Sequence, residues 1–285
     1  METPDRNARD SARILTDNFR FLGEKEDAVR ILTETQAEEA VRSALPSFSS
    51  PPAPEEIAAL ARDLGIRDFV GFCLTVGRVW KAEAGSSPDP SPDSGFGTEE
   101  PARIAYLQNA FSDRAYRKFS ALFSKVAAVY FPGFREVAEE VYSGRCTHAI
   151  LPTASSADGQ ILSFRRLIGR YDLKIAAAAD IPTDEDHAMR FALLRRRLPF
   201  PPFRSSYLDL SAVPTDEMTA GVLLSSIERT GASLVSANSH PSGPEEDRNV
   251  LDLTFDLRGA DALALHLFLE GSHVRYETVG SYELL

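Results

Sequence analysis

Between Ser11 and Leu45, apolar residues recur at three- and four-residue steps through Ile14, Leu15, Phe19, Leu22, Ala28, Val29, Leu32, Ala37, Val41 and Leu45. That spacing lays one apolar stripe along a helix. Gly23 weakens its middle, and Pro46 with the run Ser49-Ser50-Pro51-Pro52 ends it. A shorter helix is predicted from Pro54, a residue suited to a first helical turn, to Leu64, with Gly65 as its stop. A third runs from about Asp68 to Ala82 and carries Phe69, Phe72, Cys73, Val76 and Trp80. Residues 1–83 thus read as a helical domain. Residues 84–101 are rich in Pro, Ser, Gly and acid, have little to bury, and read as a flexible linker.

After the linker the period changes. Short apolar runs at Ile104–Leu107, Val126–Phe131, Ala149–Leu151 and Leu173–Ala178 read as strands. They alternate with helices over Asp113–Phe123, Phe134–Tyr142 and Ile161–Ile168, which predicts a mainly parallel α/β sheet over residues 102–198. Met189–Leu194 is placed to return to that sheet. Pro199, Pro201 and Pro202 mark a boundary. Residues 204–285 then read strand (Tyr207–Val213), helix (Met218–Thr230), strand (Ala232–Ser239), strand (Val250–Leu257), helix (Ala260–Glu270) and strand (His273–Val279). That βαββαβ order is the ferredoxin-like plait. The fold class expected is multidomain, α plus α/β.

Composition narrows the function classes. The 285 residues leave room for two or three domains, and 43% hydrophobic with 26% charged residues is ordinary for a globular chain. A formal net charge of −11, with Arg195-Arg196-Arg197 the densest cationic run, argues against a nucleic-acid partner. No run approaches the ~18 apolar residues of a membrane helix. The N-terminus mixes acids with arginines, unlike a signal peptide. Cys73 and Cys146 lie in apolar runs and read as reduced, buried thiols. A cytoplasmic protein without metal or cofactor is expected.

Three stretches then match a family in order. Phe134-Arg-Glu-Val-Ala-Glu-Glu-Val-Tyr-Ser-Gly144 leading to Ile150-Leu151-Pro152 resembles the prephenate dehydratase segment in which a helix ends at Gly and a strand runs into Pro-Ile-Glu-Asn-Ser. Tyr171-Asp172-Leu173-Lys174-Ile175 is similar to the strand entry that follows in those enzymes. Val279-Gly280-Ser281-Tyr282 is similar to the Leu-Gly-Ser-Tyr that ends their ACT regulatory domains. The resemblance covers about residues 103–282 and implies a dehydratase-like lobe followed by an ACT domain.

The departures are large. The family's opening Gly-Pro-x-Gly-Thr-Phe-Ser stands here as Leu107-Gln108-Asn109-Ala110-Phe111-Ser112. Its Glu-Asn-Ser stands as Ala154-Ser155-Ser156, and its Thr-Arg-Phe as Met189-Arg190-Phe191, where Met cannot donate the proton expected of the Thr. A second lobe expected before the Thr-Arg-Phe motif is replaced by Ala176–Ala188 alone. Expelling carboxylate and hydroxyl from a dianion requires a cleft closed from both sides, and one lobe is expected to offer an open surface. Ser156, Arg190 and Phe191 are the residual site candidates. By spacing back from Pro241, the effector motifs of the ACT domain fall on Met218-Thr219-Ala220 and Asn238-Ser239-His240-Pro241. Met218, Ala220, Asn238, Ser239 and His240 are the effector candidates.

The domain order is also that of bifunctional P-proteins, in which a helical chorismate mutase precedes dehydratase and ACT. Such a mutase grips the carboxylates of chorismate with cations, and Arg13, Arg30 and Arg42 are the candidates. Two readings follow. The first is a truncated, non-catalytic relative, dimerised through its ACT domain, that senses a small aromatic or dianionic metabolite or binds a partner enzyme. The alternative is an enzyme acting on chorismate or prephenate through the helical domain.

Overall fold

The computed structural model describes residues 35–43, 52–83, 101–198, 205–241 and 249–285. Arg13, Arg30 and the linker over 84–100 lie outside them.

The described helical region comprises α1 (35–43), α2 (Pro54–Asp63) and α3 (Phe69–Glu83). The central region runs β1 (Ala102–Leu107), α4 (Ala110–Ser120), β2 (Val126–Phe131), α5 (Phe134–Tyr142), β3 (His148–Ser155), β4 (Gly159–Gln160), α6 (Leu162–Arg170), β5 (Lys174–Pro182) and β6 (Ala188–Arg195). The last comprises β7 (Tyr207–Val213), α7 (Ala220–Arg229), β8 (Ser233–Pro241), β9 (Asn249–Asp256), α8 (Ala262–Gly271) and β10 (Arg275–Leu284). Its βαββαβ order is the one expected. Helix α4 starts earlier than expected because the side chain of Asn109 caps it, accepting from the backbone N–H groups of Phe111 and Ser112.

The sheet corrects the expectation of a mainly parallel one. Strands β2, β1 and β3 are parallel, but β6 lies antiparallel between β3 and β5. A tight hairpin at Thr183–His187 connects β5 to β6, and Asp184 stabilises it by accepting from the N–H groups of Asp186 and His187. The sheet then continues without a break: β10 pairs in parallel with β5, and the full order is β2-β1-β3-β6-β5-β10-β7-β9-β8, with β4 hairpinned onto β3. The junction is made by the Val279-Gly280-Ser281-Tyr282 stretch. Gly280 faces Ile175 so closely that an added Cβ would sit 2.7 Å from the Ile175 Cβ and 3.1 Å from the Tyr282 ring. A side chain there would push the two strands apart.

Three apolar cores follow. One lies between the plait and the helices: Leu208, Leu210, Phe255, Leu265 and Phe268 share it with Val41, Ile57, Phe72 and Val76. The described helical residues therefore bury their stripe on the α8 face of the plait, and Lys81 clasps Asp261, the N-cap of α8, at 3.0 Å. The other two cores lie on opposite faces of the central sheet, beneath α5 and α6 and beneath α4 respectively. Cys73 and Cys146 are free and buried. Among the described residues no helix is long and apolar enough to cross a membrane.

Candidate functional site

Strand alternation decides where the polar groups of the plait go. Leu208, Leu210 and Ala212 of β7, with Leu251, Leu253 and Phe255 of β9, face the helices. The opposite face carries Tyr207, Asp209 and Ser211 paired against Asp252 and Thr254, with Tyr282 beside them on β10. On a two-layer plait that face meets water. Here α6 lies over it and drives Arg165 into its centre.

Arg165 is 8% exposed and Asp252 2%. Its Nη2 donates to Asp252 Oδ1 at 3.1 Å, Ser211 Oγ at 3.2 Å and the Leu210 carbonyl at 3.4 Å, while Nη1 reaches Asp209 Oδ2 at 3.5 Å. Ser211 donates to the same Asp252 oxygen, and His240 Nε2 lies 3.1 Å from the other. Tyr282 Oη donates to Asp209 Oδ1 at 3.1 Å. Asp209 is thus the less closely paired carboxylate. Burial pushes its pKa up, against the opposing influence of Arg165, Thr254, Tyr282 and Arg190.

The sign of the linked pH effect follows. A carboxylate whose folded pKa is raised contributes stability that is complete below its unfolded value, 3.8, and is lost as pH rises through the folded value. Asp209→Asn is expected to remove that loss. Thermal denaturation of both proteins across acidic to neutral pH checks it: the wild type should lose stability relative to Asp209→Asn as pH rises. Parallel curves would show that the folded state binds no more protons at Asp209 than the unfolded chain does, and that its pKa is not raised.

Next to this cluster lies a cleft of about 150 Å³. Ile175, Ala178, Arg190 and Ala192 of the central sheet form one wall; Asp209, Thr254 and Tyr282 of the plait form the other. This corrects the expected open surface: the polar face of the plait supplies a second wall to the single lobe. Arg190 does not project a free guanidinium into it. Its Nε and Nη2 bind both oxygens of Asp180 on the neighbouring strand at 2.8 and 2.9 Å, and those hydrogen bonds are the main reason the Asp180 pKa lies below the ordinary carboxylate value.

The other candidates are dispersed. Phe191 follows Arg190 on β6 and therefore points to the opposite face, where it is 2% exposed in the core beneath α4. Ser156 exchanges hydrogen bonds with the backbone of Ala188, its N–H donating and its hydroxyl accepting, and so ties the end of β3 to the start of β6. Arg42 pairs with Glu38 and Glu83. Met218 packs beside the helix-face core just before α7, and Ala220 opens that helix. Asn238 and His240 instead face the central region, bonded to Gln160 and Asp252. The two stretches expected to form an effector site therefore lie on opposite faces of the plait and do not meet within one chain. Ser239 is exposed. Among the described residues no cluster of metal-ligating side chains occurs.

Sequence reasoning missed Arg165, Asp209 and Asp252. The available signal was an aspartate at a non-apolar position of each of two strands that pair, and it reads equally as a solvated face.

Residues 104–196 match the family model for prephenate dehydratase. The solved prephenate dehydratase of Streptococcus mutans is 20% identical with a TM-score of 0.52, over 64% of this chain and 98% of that one. GqqA, described as a novel type of quorum quenching acylase, is 20% identical with a TM-score of 0.49, over 63% of this chain and 94% of that one. The prephenate dehydratase of Arthrobacter aurescens, solved in complex with L-Phe, is 15% identical with a TM-score of 0.48, over 64% and 90%. No curated protein matches the chain. At such identities the likeness to the first structure establishes the fold.

Proposed function

We propose that this chain, whose residues 104–196 match the family model for prephenate dehydratase, is a non-catalytic relative whose plait is an ACT domain, serving aromatic amino-acid or derived metabolism as a regulatory or partner-binding protein. One observation carries the reading. Arg190, which lines the cleft between the central sheet and the plait, and Arg165 in the cluster beside it are already bound by the chain's own Asp180 and by Asp252 and Asp209 respectively. A dianionic substrate would have to displace Asp180 from Arg190, or the buried Asp209 and Asp252 from Arg165, before it found a cation.

Volume supports the same conclusion. A cleft of about 150 Å³ suits a benzene-sized guest. Drug-sized ligands occupy roughly 300–1,000 Å³, and prephenate carries a carboxylate and a pyruvyl arm on its ring. Met189, where the family has Thr, adds no proton donor. We take the protein to act as a homodimer. In the plait β10 is paired with β5 and α8 is covered by α2 and α3, so β8, at the end of the sheet order, is the edge left to pair.

The test is direct. Purified protein incubated with prephenate at neutral pH is expected to form phenylpyruvate no faster than buffer alone, with or without L-phenylalanine. Saturable turnover by the unaccompanied protein would overturn the reading.

A further inference from the structure

A second and larger cleft, of about 760 Å³, lies where α1, the turn between α2 and α3, and α7 of the plait meet. Its position follows from the packing described above. The helical residues cover the α8 side of the plait closely, whereas beside α7 the turn at Leu64–Asp68 stands off and leaves a gap bridged by one ion pair. Arg229 of α7 binds both oxygens of Asp68 at 2.9 and 2.6 Å, and Asp68 in turn accepts from the Gly71 N–H at the start of α3.

The charge of this cleft opposes that of the chain. Three arginines, Arg67, Arg78 and Arg229, and one aspartate, Asp68, line it, in a protein of formal net charge −11. Their partners differ. Arg229 is committed to Asp68. Arg78 approaches Glu38 at 3.4 Å and donates to the Thr75 hydroxyl at 3.2 Å. Arg67 is exposed and meets no carboxylate among the described residues. Beside it the lining is apolar: Leu74 is half-buried and Leu64 is 45% exposed, a large side chain left at the mouth. An uncommitted guanidinium next to exposed aliphatic surface, within a concave space of ligand size, matches an organic acid with an apolar body.

The geometry points to a ligand site here for a small carboxylate carrying an apolar group, its carboxylate on Arg67 with Arg78 nearby and its apolar body against Leu64 and Leu74. The site is separate from the Arg190 cleft, shares no residue with it, and does not depend on whether the protein catalyses a reaction. It joins the turn between α2 and α3 to α7, so an occupant would hold the helical region and the plait together.

The probe is 3-phenylpropionate, titrated calorimetrically into the full chain, with 3-phenylpropanamide as the uncharged counterpart. The acid is expected to bind saturably and to raise the thermal midpoint as its concentration passes the Kd, and the amide to bind at least about tenfold more weakly. Arg67→Gln changes an exposed side chain and, with its fold checked by circular dichroism, is expected to weaken the acid about tenfold or more and leave the amide unchanged. Absence of saturable binding in the millimolar range would overturn the proposal. So would equal binding of acid and amide, equal binding to wild type and Arg67→Gln, or binding removed by Arg190→Gln and not by Arg67→Gln. Prephenate turnover is measured separately, so failure here leaves the reading of the Arg190 cleft standing, and the reverse holds too.

Discussion

Replacing Arg165 by alanine is expected to destabilise the protein by about 3–5 kcal/mol, the usual consequence of stripping the partner from a buried charge. The carboxylate left behind is the reason for the size. Asp252 is 2% exposed, and once the guanidinium is gone its remaining partners are Ser211 and His240. Asp209 loses its cation as well. The side chain also fills the space beneath α6, so part of the loss is packing. Set against total stabilities of about 5–15 kcal/mol, this change is a large fraction, and it corresponds to a fall in thermal midpoint on the order of 10 °C.

The comparison that isolates charge from volume is Arg165→Met combined with Asp209→Asn and Asp252→Asn. Removing all three charges leaves amides that can still bond to Ser211, Tyr282 and Thr254, so the triple variant is expected to recover much of the single variant's loss, by analogy with buried ionic clusters replaced by uncharged residues. Urea denaturation followed by circular dichroism measures both. If Arg165→Ala lowers stability by less than about 1 kcal/mol, the cluster is hydrated in solution and α6 does not seal the plait face as described.

The legible and illegible parts of this protein separate along one physical line. Periodicity located the strands Tyr207–Val213 and Val126–Phe131 to the residue, and a Gly-stopped helix at Phe134–Tyr142, because each depends on the chain's local pattern. The antiparallel insertion of β6 was not legible. Ala176–Ala188 looked like a remnant of a missing lobe, whereas Thr183–His187 is simply a hairpin turn between two long strands. The Arg165 cluster was hidden for a related reason. Strand alternation divides residues into two faces but does not say what lies over the polar one, and here a helix some forty residues upstream in sequence covers it. Ser156 and Arg190 stand at positions of the resembled motifs, and both have a partner within the chain.

Phe191 shows how far that last point reaches. In the resembled motif it stands next to the arginine and invites a role at a shared site, yet adjacent strand residues point to opposite faces. Arg190 faces the cleft and Asp180, while Phe191 is among the largest fully buried or nearly buried side chains, packed in the core with Ile104, Phe119, Ile150 and Ile181. Phe191→Ala is therefore expected to cost about 3–5 kcal/mol, the range for truncating a buried aromatic, from lost transfer energy and the cavity left behind. Phe191→Leu keeps most of the volume and is expected to cost less than about 1.5 kcal/mol. The discriminating measurement is the stability of both variants by urea denaturation. A core role predicts that Phe191→Leu stays within about 1.5 kcal/mol of the wild type and that Phe191→Ala loses about 3–5 kcal/mol. A Phe191→Ala protein that melts like the wild type would mean that this ring is not enclosed beneath α4, and the division of β6 into a cleft face and a core face would have to be abandoned.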